Sequence, residues 1–332
     1  MPLTIQPHHC GVPFARRATP GSAAGEPIVI ALVNNMPDSA LEATAAQFTR
    51  LLRAAAGPLP VQLRFCYLPE VPRGPEAMDR LRGAYWHIDD LLDEAVDALI
   101  VTGMEPKAAR LDEEPYWRRF GELLDWAEAH TVSSVWSCLA AHAAVQLIDG
   151  IERRRLEQKR FGVFEHNLLA AHPMASGVSA PLATPHSRWN ELPVAALRAK
   201  GYTLVSWSPE TGADLFVKQS RSLLVFFQGH PEYEDTTLFR EYRRDIGRFL
   251  RGEQRFYPLL PRGYLSPQNA ALLQAFELRA LAAPDVKLLS SLPVDAAGAC
   301  ARNTWSAAAV RIYRNWLTLI AAAKSPGRAA AV

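Results

Sequence analysis

Cys138, His230 and Glu232 are the side chains whose types and settings point to chemistry. Cys138 follows Val132-Ser-Ser-Val-Trp-Ser137, a β-branched and aromatic stretch that reads as a buried strand. It precedes Leu139-Ala-Ala-His-Ala-Ala-Val-Gln-Leu-Ile148, whose alanines and apolar spacing read as a helix. A cysteine at a sharp strand-to-helix turn is a nucleophile elbow. The elbow exposes the sulfur at the carboxyl end of a sheet. There the helix dipole and free N–H groups favour a thiolate and can receive an oxyanion. Taken alone, a small buried cysteine in a βα unit is the commoner outcome. A base elsewhere in the chain tips the balance. The apolar run Leu223-Leu-Val-Phe-Phe227 leads into Gly229-His-Pro-Glu-Tyr233, so His230 leaves the end of another buried strand with Glu232 two residues on. Cysteine, histidine and carboxylate are the parts of an activated-thiol triad.

The elements that must position these groups follow a βαβ pattern. Pro27–Asn34 reads as the first core strand, and Ser39–Ala55 as a helix with Leu41, Ala45, Phe48, Leu51 and Leu52 on one face. Val61–Leu68 alternates as a strand, and a helical piece follows near Asp89–Glu94. Ala98–Thr102 is a short continuous apolar run, as in a parallel strand covered on both faces, and Gly103-Met-Glu-Pro106 loops from its end. Tyr116–His130 is an amphipathic helix leading into the Cys138 strand. The series predicts an α/β fold, a doubly wound and mostly parallel sheet with helices on both faces. Ligands in such sheets bind beyond the carboxyl ends of strands, where Gly103, Cys138 and His230 all fall. From Phe161 to Val217 the pattern reads as short strands, turns and loops. Asp235–Gly252 reads as a helix carrying Glu241 and Arg244, Gln268–Ala282 as another, and Thr304–Ala323 as the last. The run Arg153-Arg-Arg155 has a solvated face as its default reading, with a contact to cofactor phosphates as the alternative.

Composition excludes several classes. A formal charge of +2 gives no reason to invoke nucleic acid or a membrane surface. No apolar run approaches the ~20 residues of a membrane span, and no secretory h-region precedes Arg16-Arg17. The four cysteines, at 10, 66, 138 and 300, form no CxxC pair, so neither a zinc site nor a disulfide framework is suggested. His8, His9 and Cys10 read as an unstructured segment rather than metal ligands. A cytoplasmic, reducing setting is expected, which keeps Cys138 a free thiol. Residues 1–26 read as a flexible arm, 27–324 as a single α/β domain, and 325–332 as a frayed tail.

The blocks Val33-Asn-Asn-Met-Pro37, Ile100-Val-Thr-Gly103, the Cys138 elbow and Gly162-Val-Phe-Glu-His166 resemble those of the homoserine O-succinyltransferase family. So do Pro185-His-Ser-Arg188, Gly229-His-Pro-Glu-Tyr233, Arg302-Asn-Thr-Trp305 and Asn315-Trp-Leu317, in this order, across roughly 28–322. The family has a class I glutamine amidotransferase-like fold. The amidotransferase elbow Gly-X-Cys-X-Gly is absent, since Trp136-Ser137 and Leu139-Ala140 flank the cysteine. The resemblance implies Cys138 as the acyl-accepting nucleophile, His230 as general base and Glu232 as its orienting carboxylate. It implies that Arg188, Arg244 and Glu241 hold the amino-acid acceptor. A guanidinium fork suits an α-carboxylate, and a carboxylate suits an α-ammonium. The N–H groups of Leu139 and Met104 are the expected oxyanion donors. The expected partners are small molecules, an acyl-CoA co-substrate (succinyl-CoA or acetyl-CoA) and L-homoserine, with no bound cofactor or metal. A homodimer is left open.

Three departures qualify the resemblance. Asp38-Ser39 stands where the family often has lysine after Met-Pro, and residues 256–303 include an insertion of roughly thirty residues. Four residues after Gly103, acetyl-CoA users have glutamate and succinyl-CoA users glycine, whereas this chain has Lys107. An ammonium there can pair with a succinyl carboxylate, pair with Glu105, or lie on the surface. Serine is an alternative acceptor, since one methylene is worth only ~1–3 kcal/mol in a pocket. A glutamine amidotransferase, a related cysteine hydrolase and an inactive binding protein are the rival classes.

Overall fold

Two separate cores lie on opposite faces of the same strands, and alternation along each strand divides its side chains between them. Leu99, Val101, Trp136 and Phe226 enter one core, whereas Ala98, Ile100, Val135, Val225 and Phe227 enter the other. This is why Ala98–Val101 and Leu223–Phe227 are apolar throughout rather than at every second residue, and why the serines of Ser133–Ser137 are buried too. The computed structural model describes residues 3–7, 26–169, 171–293 and 303–324. His8, His9, Cys10, Cys300, Arg302, the bulk of the arm and the tail from 325 lie outside the described residues.

In chain order the elements are β1 (Leu3–Ile5), β2 (Ile28–Val33), α1 (Leu41–Ala56), β3 (Val61–Tyr67), α2 (Pro75–Ala84), β4 (Trp86–His87), α3 (Ile88–Leu92) and β5 (Ala98–Val101). Then come α4 (Trp117–His130), β6 (Ser133–Ser137), α5 (Leu139–Asp149), β7 (Arg154–Leu168), β8 (Leu182–Glu191), α6 (Val194–Ala199), β9 (Thr203–Leu204), β10 (Ser206–Ser208) and β11 (Gly212–Ala213). The chain continues through β12 (Leu215–Gln219), β13 (Leu223–Phe227), α7 (Thr237–Leu250), α8 (Pro267–Ala282) and a C-terminal helix, Ser306–Lys324.

The main sheet has the order β1-β3-β2-β5-β6-β13-β12-β9, with β4 beside β3. Neighbours are parallel from β1 through β13, and β12 and β9 add an antiparallel edge. The fold is therefore the expected doubly wound α/β sheet. Helices α1 and the C-terminal helix cover one face through Phe48, Leu52, Ile312 and Trp316. Helices α3, α4, α5 and α6 cover the other through Ile88, Phe120, Ala144 and Leu197. The order of crossovers reverses between β2 and β5, which opens a crevice at their carboxyl ends.

Two expectations are corrected. The arm is not loose at its start, because Leu3–Ile5 pairs in parallel with Val61–Leu63 and Leu3 is buried. Three residues amid prolines and histidines carry too little pattern to be read as a strand. The stretch after Phe161 has the expected short strands in β9 to β12, but it opens on two much longer ones. β7 and β8 form one long antiparallel hairpin that joins β10 and β11 in a second, four-stranded sheet. A register shift between Arg155 and Arg160 breaks the period of two, so the sequence hides the continuity. Within the insertion, α8 falls where a helix is expected, and the Ser266 hydroxyl caps it by accepting from Asn269 N–H at 3.2 Å. Its buried Leu273, Phe276 and Ala280 share a core with Leu238, Tyr242 and Ile246 of α7.

Trp316 is fully buried against the sheet and its indole N–H donates to Ser133 Oγ at 2.8 Å. Trp316→Ala should cost ~3–5 kcal/mol of stability. Denaturant unfolding measures this directly, and a loss under 1 kcal/mol would show that the helix does not pack as described.

Candidate active site

Strand β6 is buried along its whole length and ends at Cys138, which has φ 52° and ψ −111°. Among the described residues it is the one non-glycine with positive φ, a conformation that L-residues resist. Its N–H donates to Phe227 O at 2.7 Å, fastening the elbow to the end of β13. Its carbonyl accepts from Ala141 and His142 as α5 begins, and the Leu139 N–H, in the first turn, has no intrahelical acceptor. Gly103 lies against that N–H. A Cβ at Gly103 would stand 3.2 Å from Leu139 N and 3.4 Å from Ser137 O, so glycine keeps the donor accessible. Met104 follows and is buried. Thr102 steadies this loop, since its hydroxyl accepts from Asn35 N–H at 2.8 Å and donates to Gly103 O at 3.2 Å. Arg73 in turn braces the Asn34–Met36 loop through the carbonyls of Asn34 and Met36 at 2.9 and 2.8 Å. The Asn-Asn-Met-Pro and Thr-Gly-Met segments thus meet at the crevice between β2 and β5.

His230 emerges from β13 with its N–H on Pro185 O at 2.8 Å. Its Nδ1 donates to Glu232 Oε1 at 2.8 Å, and its ring stacks on Tyr233 with centroids 4.3 Å apart. With Nδ1 engaged, Nε2 is the nitrogen left for the Cys138 sulfur, its hydrogen-bond and charge partner. Burial lowers the imidazole pKa, but Cys138 and Glu232 together outweigh burial and raise it well above the ordinary histidine value. The imidazolium therefore persists into the neutral range and supplies the counter-charge that a thiolate needs. With the folded value above the unfolded one, the charged form adds stability that is complete below pH ~6.5 and is lost as pH rises through the raised value.

A polar wall flanks this dyad. Glu241, on α7, accepts from the Tyr233 hydroxyl at 2.6 Å and from Ser187 Oγ. Tyr233 is buried and its pKa is pushed well up by burial and by Glu241, so the phenol stays a donor. Arg244 is half-exposed and pairs with Asp245 at 2.8 Å, which also takes Lys159 Nζ at 2.9 Å. Burial lowers the Arg244 pKa, but Asp245 and Glu241 raise it further still, so the guanidinium is firmly charged. Arg188 is buried. It donates from Nη1 to Asn190 O at 2.6 Å, from Nη2 to Thr211 O and from Nε to His186 Nδ1 at 3.3 Å, and it lies within electrostatic reach of Cys138. Two of its five N–H groups remain for a ligand. Lys107 is exposed, and its main-chain N–H donates to Glu114 Oε1 at 2.5 Å. It is not enclosed as a carboxylate-binding role requires. Its neighbour Glu105 pairs with Arg248 instead, at 3.4 Å.

Among the described residues, His166, His186 and Asp214 have the spacing of metal ligands. Their hydrogen bonds argue for another role. His186 Nδ1 accepts from Arg188, so its proton sits on Nε2, which points toward His166 Nε2 at 3.3 Å and Asp214 Oδ1 at 3.6 Å. A protonated nitrogen offers no lone pair to a metal. Asp214 also accepts from Gly229 N–H at 2.9 Å and Thr184 Oγ at 3.0 Å. The group is a buried relay joining β7, β8, the link between β11 and β12, and the end of β13. Ser187, Tyr233, Lys159, Asp245 and this relay were not among the expected site residues. Ser187 and Tyr233 stand inside recognisable motifs, but nothing in the sequence marks Lys159 or Asp214.

A model of the homoserine O-succinyltransferase family matches residues 12–326. The homoserine O-succinyltransferase of Rhodopseudomonas palustris is 47% identical over 314 residues, covering 95% of this chain and 92% of that one. This chain belongs to the homoserine O-succinyltransferase family. A second family member, from Methylorubrum extorquens, is 45% identical over 307 residues, 91% of each chain. The family's chemical class, acyl transfer, comes with membership. Among solved structures, a glutamine amidotransferase from Methylobacillus flagellatus aligns with TM-score 0.48 at 16% identity, over 88% of this chain and 94% of that one. No described helix is long and apolar enough to cross a membrane.

Removing the charge partner should lower the titration midpoint of His230. In Cys138→Ala, NMR of the ring should show that midpoint below the wild-type one, and Glu232→Gln should move it the same way. An unchanged midpoint in both variants would show that neither group sets the charge of the base.

Proposed function

We propose that this chain moves a succinyl group from succinyl-CoA to the side-chain hydroxyl of L-homoserine through an acyl-cysteine, an early step of methionine synthesis. The observation that carries the reading is the elbow cysteine paired with the Glu232-bound imidazole of His230. The names of the relatives support the donor and the acceptor.

The Cys138 thiolate attacks the thioester carbonyl while His230 holds the thiol proton. The N–H groups of Leu139 and Met104 face the oxyanion of the tetrahedral intermediate. Collapse expels CoA, which takes the proton from His230. The homoserine hydroxyl then attacks the acyl-cysteine. His230 removes its proton and returns it to the departing sulfur. Arg188 and Arg244 are the candidates for the acceptor carboxylate, and Glu241 for its ammonium. Lys159 and Ser187 complete the wall. An enzyme working on CoA thioesters and amino acids belongs in the cytoplasm.

Intact-mass spectrometry after acyl-CoA alone should show one acyl adduct on wild type and none on Cys138→Ala. An adduct that persists in the variant would move the covalent step elsewhere. His230→Asn should lose ~10²–10⁴-fold in rate, and a pH–rate profile identical to wild type would remove the histidine from the mechanism.

Arg244→Lys should raise KM for homoserine and leave acyl-enzyme formation nearly intact, because lysine lacks the bidentate fork. A block in the first half-reaction would assign Arg244 to the CoA side. Because Lys107 is exposed, Lys107→Glu should change the succinyl-CoA to acetyl-CoA ratio of kcat/KM by less than about fivefold, the ceiling for an exposed pair. A reversal of preference would return the donor choice to that loop.

A further inference from the structure

The three arginines entering β7 differ in what surrounds them. Arg154 pairs with Glu191 across the hairpin, and the Arg155 guanidinium lies 4.6 Å over the Trp189 ring. Both are exposed. Arg153 is half-buried, and among the described residues it makes no hydrogen bond or ion pair. Its Nη1 is fully enclosed without a partner.

Two more enclosed polar atoms near Arg153 also lack partners: the Tyr116 hydroxyl, on a side chain 1% exposed, and His142 Nδ1. The charge of Arg153 is felt by Tyr116 and His142, and Arg153 in turn feels Glu114, Arg155 and Cys138. Glu114 does not close an ion pair, since its Oε1 accepts from the N–H groups of Lys107 and Ala108 at 2.5 and 2.7 Å. A guanidinium nitrogen withdrawn from water with no anion is costly, and the cost is relieved by a ligand that brings one. The enclosed Nη1 and hydroxyl suit a small terminal anion, whereas a nucleotide phosphate keeps most of its water.

We propose that Arg153, with the Tyr116 hydroxyl, is the subsite for the free carboxylate of a dicarboxylic acyl group, and that it sets the preference for succinyl over neutral acyl chains. This rests on the acyl-cysteine reading above. Two N–H donors of a guanidinium and one phenol match the lone pairs of a carboxylate. Arg153 feels the charge of Cys138 as well as that of Tyr116, which puts its guanidinium within electrostatic reach of the reacting sulfur.

The test compares succinyl-CoA with butyryl-CoA, which has the same chain length and a methyl in place of the carboxylate. The readout is the rate of Cys138 acylation by intact mass and kcat/KM for each donor. Wild type should favour succinyl-CoA, and Arg153→Met should lower the succinyl-to-butyryl ratio by ~10²-fold. Arg153→Lys should give an intermediate ratio, and Tyr116→Phe a smaller loss, about tenfold. Thermal unfolding of Arg153→Met should show an unchanged or raised midpoint, because no hydrogen bond to the enclosed Nη1 is lost and the apolar stem is kept. If Arg153→Met fails to fold, the Arg153→Lys and Tyr116→Phe ratios decide. Equal losses on both donors would place Arg153 on the CoA side or in the scaffold, and a change confined to the KM of homoserine would place it on the acceptor. Either result, or an unchanged ratio, overturns the proposal. A wild type acylated by butyryl-CoA but not succinyl-CoA overturns it while sparing the acyl-cysteine. A wild type acylated by neither refutes both.

Discussion

The backbone of Cys138 is the constraint on which the site depends. A non-glycine residue at positive φ costs on the order of 1–3 kcal/mol and persists only when its surroundings fix it. Here β6 is clamped between β5 and β13, the Cys138 N–H is tied to Phe227 O, and α5 starts on the next residue. That conformation sends the sulfur toward His230 and turns the first N–H of α5 toward the Gly103 loop. A relaxed turn would separate the Cys138 sulfur from both His230 and the Leu139 N–H, even with every side chain present.

The second sheet does for His230 what the first does for Cys138. Pro185 O receives the His230 N–H, and the Asp214 side-chain carboxylate receives the Gly229 N–H, so His230 is anchored by two buried hydrogen bonds, one to backbone and one to a side chain. Gly229 has no room for a side chain, since a Cβ there would lie 2.6 Å from Thr184 Cγ2 and 2.7 Å from Asp214 Oδ1. The same relay, through His186, orients Arg188. Burial and Arg188 hold His186 well below the ordinary histidine pKa, so its imidazole stays neutral while that of His230 carries charge. Two histidines in one site thus differ because burial and neighbouring cations prevail at His186, whereas Cys138 and Glu232 outweigh burial at His230.

The legible parts of the sequence were those whose signals are local. β2, β5 and β13 are continuous apolar runs because both of their faces are covered, Cys138 follows the β-branched and aromatic Val135-Trp136, and His230 stands just past the end of β13. The hairpin of β7 and β8 was hidden because its bulged, arginine-rich start breaks the alternation. The Tyr233–Glu241 contact, the Lys159–Asp245 pair and the inward turn of Arg153 were hidden for a different reason. Each depends on which residues of distant segments come to face one another, and a run of like residues gives no sign of which member turns inward.

The imidazole plane of His230 is set by Tyr233, whose phenol is held by Glu241 on α7, and α7 shares its core with α8 of the insertion. The base and the acceptor wall are therefore one mechanical body with a distant foundation. The two faces of α8 carry unequal evolutionary freedom. Leu278 and Leu281 are exposed on its open side, whereas Phe276 packs in the core that also holds Tyr233, the ring stacked on His230. A change of volume at Phe276 would therefore bear on the setting of that imidazole through packing alone.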